Sequence, residues 1–498
     1  MERKRSKWCF AVGCSGRDLC YTLVSLFLLT YIQYTNLVNT KQFLVLTVII
    51  VLCRVWDAVN DPMMGTLISN TRTKFGKYRP WVLGGAILNA IVLVCLFTIR
   101  VEVGNNIDSL GWWNVGILGF FYLLYGMTFT ANDVSFWSLL PVLSKDKKDR
   151  DTLTTMLAVF ASIGAFAAGG LIPIVTPGNM INAYRNCAII FAVVFLLCQI
   201  MVFFFVHDNE DDTFIEKHAT VVEEENVTLK QMVGILLRNN QLLVMAIVVL
   251  LHSLGAAILN AFGQNFFYFK YGYNGNQMFV FTVIYALGTI ISQALFAPLA
   301  SKFTRYQLVK ASIVGIVIGY IGFFVVMNLP IASNIAFVLG CLFGVFLFFA
   351  QGLLYMVMLI MLTNTIEYDE WKTGKRNDAV TFSVRPFMVK LAGAVQYLVV
   401  ALTLVVCGLY SITSDIGTVE ANIANKTVSE AEGRVLIEAL LSKATTGQML
   451  GLSGAMTLVP VLLFIVEYFI IKKKYIITEE FYDQMVREIE ERKGNACA

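Results

Sequence analysis

The stretch RVWDAVNDPMMGTLISNTRTKFGKYRPW, Arg54 to Trp81, decides how this chain is read. It closes an apolar run, Gln42 to Ile68, that is long enough to cross a bilayer at about 1.5 Å per residue, and it places Arg54, Asp57 and Asp61 inside that run. A charge at the centre of a bilayer costs from about 3 to more than 10 kcal/mol, so such groups face a bundle interior or a wet cavity and mark an ion or substrate path. At about 100° per residue Asp57 and Asp61 sit about 40° apart on the helix surface and Arg54 lies within about 60° of both, giving one polar stripe. Pro62 has no N–H to donate to the Ala58 carbonyl, which leaves an oxygen beside two carboxylates. Two anions and a carbonyl suit a hard monovalent cation or a proton. The plain alternative, an Arg54–Asp57 ion pair that only ties helices together, cannot neutralise both carboxylates with one arginine.

Working outward, hydrophobic residues make up 57% of 498 and charged residues only 14%, with a mean hydropathy of +0.69, which excludes a soluble globular domain. The apolar runs predict twelve membrane-spanning helices near 12–38, 42–68, 81–101, 113–140, 152–176, 185–206, 241–269, 277–300, 308–328, 334–363, 381–410 and 449–471. The reading is an all-α integral membrane protein: a bundle over 1–206, a linker over 207–240, a second bundle over 241–471 and a tail over 472–498. With the start MERKRSK on the cytoplasmic side, 27 of the 38 Lys and Arg residues fall on that side and seven on the other, so both termini are expected to be cytoplasmic in a plasma membrane. No cleavable leader is expected, and the ten cysteines lack metal or redox spacing.

Further polar groups break the apolar runs. Arg17 and Asp18 are adjacent in the first span, where Asp18 is placed to bond substrate hydroxyls; the alternative is a simple charged pair at the inner interface. Asp133 and Trp137, four apart in FTANDVSFWSLLP, share a helix face, and a carboxylate beside an indole is a common way to hold a sugar. The fifth span is rich in Gly and Ala, as at close helix contacts. TRTKFGKYRP reads as a charged hinge that also suits anionic lipid headgroups, and nothing indicates nucleic acid. The linker carries an amphipathic piece near Leu229 to Leu237, with His207 and His218 too isolated for a metal site. The second half is read as poorer in buried charge. His252 is taken as a hydrogen-bonded bundle residue, Tyr355 lies in the tenth span, and Arg385 and Lys390 are the intramembrane cations of SVRPFMVK. Lys390 is too deep to snorkel easily and is expected to pair with Asp57 and Asp61. The segment from Ser411 to Gly447 is a long polar loop without visible chemistry, and the tail is a charged amphipathic helix.

RVWDAVNDPMMG with GKYRPW, then NDVSFWSLLP, then SVRPFMVK, in this order, resemble the glycoside–pentoside–hexuronide:cation symporters along nearly the whole chain. That resemblance implies a major facilitator fold of twelve transmembrane helices in two six-helix bundles and alternating access about a midplane site. It implies a transporter, not an enzyme, that takes up a sugar or glycoside with Na⁺, Li⁺ or H⁺ and needs no cofactor. It assigns Asp57, Asp61, Asn60 and Thr130 to the cation, Asp18, Asp133 and Trp137 to the sugar, and Lys390 to coupling; Arg17 is read beside the sugar residues and Arg54 with Lys390 as the charge pair. Departures from a well-known member fall mostly in the sugar site: Ala158 for an arginine, Phe129 for a tyrosine, Tyr355 for a tryptophan and Arg385 for a glutamine. Arg385 suits the anionic group of an acidic sugar such as a glucuronide, or pairs with Asp18 or Asp133 around a neutral one. The competing functions are a cation-coupled lysolipid carrier and a membrane sensor.

Overall fold

Helix start and stop signals recur along the chain. Asn39 and Gln42 bond each other's backbone in a reciprocal cap at 2.9 Å each way, Thr304 with Gln307 and Ser429 with Glu432 repeat the device, and Pro80 sits in a first turn. The computed structural model describes residues 2–143, 147–206, 234, 236–374 and 378–497. Its helices are α1 (Glu2–Gln33), α2 (Thr40–Ser69), α3 (Arg79–Thr98), α4 (Ile107–Leu143), α5 (Lys147–Val175), α6 (Met180–Phe205), α7 (Asn240–Tyr271), α8 (Asn276–Ala300), α9 (Arg305–Asn328), α10 (Ser333–Thr373), α11 (Asp378–Val406), α12 (Leu409–Ala424), α13 (Glu430–Leu441), α14 (Thr446–Lys474) and α15 (Glu479–Cys497).

Among the described residues eleven helices are long and apolar enough to cross a membrane, and α2, with 30 residues and the charged stripe, is the further span the sequence predicts. The expected linker apart from 234 and 236–240, with His207, His218 and most of its amphipathic piece, lies outside the described residues, as do the side chains of Ala58 and Pro62.

Two compact units result. The first joins Met1–Asn226, Gly263–Thr282 and Tyr397–Met449, and the second joins Val227–Phe262, Val283–Gln396 and Leu450–Ala498. In the first unit α1 packs on α5 and α6, α3 on α4 and α6, and α2 on α4. Its core at the end where α1 begins is Phe10, Cys14, Val82, Phe136, Leu139, Leu153, Leu157 and Val202. Lipid tails are as apolar as these side chains, so close packing rather than hydrophobic expulsion holds such helices. Gly164 shows this: a Cβ there would lie 2.9 Å from the Ser15 carbonyl carbon, so α5 touches the α1 backbone.

α2 and α4 run parallel in a constant register. The bonded pairs Asn39–Asp108, Arg54–Tyr122 and Asp61–Thr130 are 69, 68 and 69 residues apart. Arg79, expected in a charged hinge, is buried, and its Nε donates to the Phe203 carbonyl at 2.7 Å, tying the start of α3 to the end of α6.

One expectation is corrected. Ser411 to Gly447 is no plain loop but the helical hairpin α12–α13, bound to three turns of its own unit. Tyr410 donates to the Val38 carbonyl at 2.8 Å; Glu420 accepts from the backbone N–H of Gly178 (2.9 Å) and Met180 (2.7 Å) and from the Tyr273 hydroxyl (2.7 Å); Glu438 accepts from the Tyr273 N–H at 2.7 Å. Burial pushes the Glu420 carboxyl above the usual glutamate range, although those three donors pull the other way. In the second unit the tail helix α15 docks on an extended α10: Trp371 Nε1 donates to Glu488 at 2.6 Å, and Ile477 and Met485 pack with Tyr368.

Candidate functional site

The α2–α4 register carries the first cluster. Asp57 and Asp61 stand one turn apart on α2, opposite Gly126 and Thr130, one turn apart on α4. The Thr130 hydroxyl donates to Asp61 Oδ1 at 3.1 Å. A Cβ at Gly126 would lie 2.9 Å from the Asp57 carboxyl carbon, so the missing side chain at 126 is what seats that acid against α4. Asn60 is buried between them in sequence, its amide nitrogen without a hydrogen-bond partner among the described residues. Arg54 is taken up by aromatic hydroxyls and rings: Nε donates to Tyr122 at 2.8 Å, and the guanidinium lies 5.0 Å from the Tyr397 ring centre. The arginine is therefore anchored among tyrosines, one turn before Asp57. Two carboxylates and a hydroxyl along one helix seam form an oxygen-rich, anionic strip suited to a hard monovalent cation or a proton.

A second cluster joins α1 to α4. Arg17, buried, reaches Asp18 Oδ2 through Nη2 at 2.9 Å and Asp133 Oδ1 through Nη1 at 2.7 Å, while Trp137 Nε1 donates to the same Asp133 oxygen at 3.1 Å. The guanidinium also lies 5.0 Å from the Trp137 ring centre. So Arg17, Asp18, Asp133 and Trp137 form one constellation, and the reading of Arg17 and Asp18 as a mere interface pair is set aside. The Asp18 and Asp133 side chains keep 23% and 32% of their surface open, and Trp137 is exposed. One buried cation holds two carboxylates beside an open indole face, a surface able to accept hydroxyl donors and stack an apolar ring face.

Tyr355, Arg385 and Lys390 belong to the second unit. Exposed Arg385 donates to the Tyr355 hydroxyl, and its guanidinium lies 5.5 Å from that ring's centre. Lys390 is partly buried one and a half turns further along α11. The second half is not poor in buried charge: Glu467 on α14 is fully buried, with His252 Nδ1 3.5 Å from its Oε1. An acid inside the apolar run LVPVLLFIVEYFII is the signal that marks it. The signal for Gly126 is weaker, because one glycine among many in apolar runs becomes informative only once the 69-residue register is known. Ala158, where the family arginine is absent, is exposed on α5.

An all-α bundle of membrane-length helices carrying two polar clusters defines a multi-pass membrane transporter, not an enzyme. The chain belongs to the MFS/sugar transport protein family, whose pattern it matches over residues 9–479. A lactose permease of Lactobacillus delbrueckii subsp. bulgaricus is 29% identical to it, over 99% of this chain and 73% of that protein. A raffinose carrier protein of Pediococcus pentosaceus is 25% identical, over 98% of this chain and 72% of that one. The solved structure of a bacterial homologue of the human lysosomal transporter Spinster, inward-facing and unoccupied, superposes with a TM-score of 0.58 at 10% identity over 96% of this chain and 99% of its own, which shows the major facilitator fold. The resemblance to glycoside–pentoside–hexuronide:cation symporters carried by the three motifs is borne out.

Proposed function

We propose that the protein is a symporter that draws a neutral, galactose-containing oligosaccharide into the cell with Na⁺, Li⁺ or H⁺ by alternating access, in a plasma membrane with both termini cytoplasmic. The observation that carries this reading is the pair of separate anionic clusters in the first unit. Asp57 and Asp61, with Thr130 and Asn60, hold the cation; Asp18 and Asp133, oriented by Arg17, accept sugar hydroxyls while Trp137 receives a ring face. Because the clusters share α4, cation binding at Gly126 and Thr130 is felt one to two turns away at Asp133 and Trp137. A neutral substrate is favoured over a glucuronide because the two relatives that match over nearly the whole chain are named for lactose and raffinose, while a glucuronide carrier homologue matches over 78% of it, and because Arg385 donates to Tyr355.

The test is uptake of labelled lactose, raffinose and a phenyl glucuronide into proteoliposomes under imposed Na⁺, Li⁺ or H⁺ gradients. Concentrative uptake of a neutral sugar driven by at least one gradient is expected. Uptake of the glucuronide alone would reassign Arg385 to anion recognition, and transport of lysolipid with no sugar would overturn the proposal.

A further inference from the structure

Glu467 is the anomaly of the second unit. Its side chain is 0% exposed, in the last apolar helix, and neither carboxylate oxygen has a hydrogen-bond partner among the described residues. A buried carboxylate with a structural role is normally held by several donors, as Glu420 is by three. Here the neighbour is an imidazole: His252 Nδ1 lies 3.5 Å from Oε1, and His252 is itself 5% exposed.

Among the described residues, the charged neighbour of the acid is His252. From α14 itself the Phe464 ring stands edge-on to His252 at 5.6 Å; from α10 the Tyr355 ring lies 5.9 Å from the imidazole. From α9, Tyr320 donates to the Gly255 carbonyl at 3.1 Å and accepts from Gln351 at 3.0 Å, so its hydroxyl is committed elsewhere. From α11, Arg385 donates to the Tyr355 hydroxyl. An unneutralised carboxylate in such a place costs several kcal/mol, and the imidazole at 3.5 Å is the group placed to share a proton with it. A metal ion would need more ligands: no group of three or more His, Cys, Asp and Glu side chains able to hold one occurs among the described residues.

We propose that His252 and Glu467 form a proton-binding pair, separate from the α2 cation site, that takes up one proton from water and gives it back during the transport cycle. Tyr355 links the pair to Arg385, because its ring meets His252 while its hydroxyl meets exposed Arg385. No bond other than that of the transferred proton forms or breaks. The inference goes beyond the proposed symport: it holds whichever ion the α2 acids bind.

The experiment uses the full-length protein in weakly buffered detergent solution. Proton uptake or release on adding substrate is measured against pH for the wild type, Glu467→Gln, His252→Gln and Asp57→Asn, with infrared difference spectra of the carboxyl C=O stretch alongside. The wild type and Asp57→Asn are expected to show a substrate-linked proton change and a pH-sensitive carboxyl band; Glu467→Gln and His252→Gln lose the proton change yet bind substrate within about threefold of the wild type. If Glu467→Gln does not fold, His252→Gln and the wild-type spectra still decide. A proton change that survives both variants, or that vanishes only in Asp57→Asn, overturns the proposal. Loss of gradient coupling in Asp57→Asn tests the symport reading separately.

Discussion

Two sets of buried acids, one in each unit, are held in different ways. In the first, Asp133 takes donors from Arg17 and Trp137, Asp18 takes Arg17, and Asp61 takes the Thr130 hydroxyl. In the second, Glu467 faces one imidazole at 3.5 Å. Arginine keeps its charge at every working pH, whereas histidine changes charge within the physiological range. Asp18 and Asp133 are thus set against a permanent cation and Glu467 against a ring; on the readings proposed above, the first arrangement serves the sugar and the second a proton.

The comparison breaks most readily at α2. Asp57→Asn or Asp61→Asn is expected to lower cation affinity by about a hundredfold, the ~3 kcal/mol that removing one member of a buried charged set costs, and to abolish gradient-driven accumulation while sugar exchange persists. Direct cation titration checks it, and accumulation by both variants at wild-type levels would refute the assignment. Asp133→Ala comes next: losing a charged acceptor removes about 1.5–3 kcal/mol of sugar binding, a tenfold to hundredfold loss, with cation affinity within about twofold. Equal loss of both in binding calorimetry would move Asp133 into the ion site.

Gly126→Ala sharpens the point. Its methyl group meets the Asp57 carboxyl, so about 1–3 kcal/mol of packing strain is expected, seen as a lower melting temperature and weaker cation binding with sugar affinity little changed. An unaltered cation affinity would show that the seat at 126 does not shape the site. The smallest effect lies outside the membrane helices. The Glu420 carboxyl is raised above its ordinary value, so its stabilising contribution is full below about pH 4.5 and fades as pH rises through its own elevated pKa. Melting temperature should therefore climb gently on acidification toward that range, and Glu420→Gln should flatten the slope. An identical slope in the variant would count against it.

Periodicity and charge spacing made the spans and the polar stripe of α2 legible, because a charge within an apolar run stands out whatever the tertiary structure does. The Asp133–Trp137 pair was legible for the same local reason, a four-residue helical spacing. Arg17 joining Asp133 was not, since 116 residues separate them and one-dimensional spacing holds no trace of α1 packing beside α4. Glu467 was visible as an acid in an apolar run, but its meaning depends on His252, more than two hundred positions earlier. The hairpin α12–α13 reads as a loop because its helices are short and polar, and their apolar faces become evident only against the turns they cover.

That hairpin changes the mechanics of its unit. Tyr410 is fastened to the α1–α2 turn, Glu420 to the α5–α6 turn, and Glu420 and Glu438 together to the turn after α7. Without it, three turns separated in sequence would each fluctuate on its own pair of helices. With it, they share one brace, and motion at any of them either carries the other two along or must first break carboxylate bonds to backbone N–H groups. The brace turns three soft joints into one stiff lever, and a long polar insertion becomes the part of the chain that sets how many independent ways that end of the unit can move.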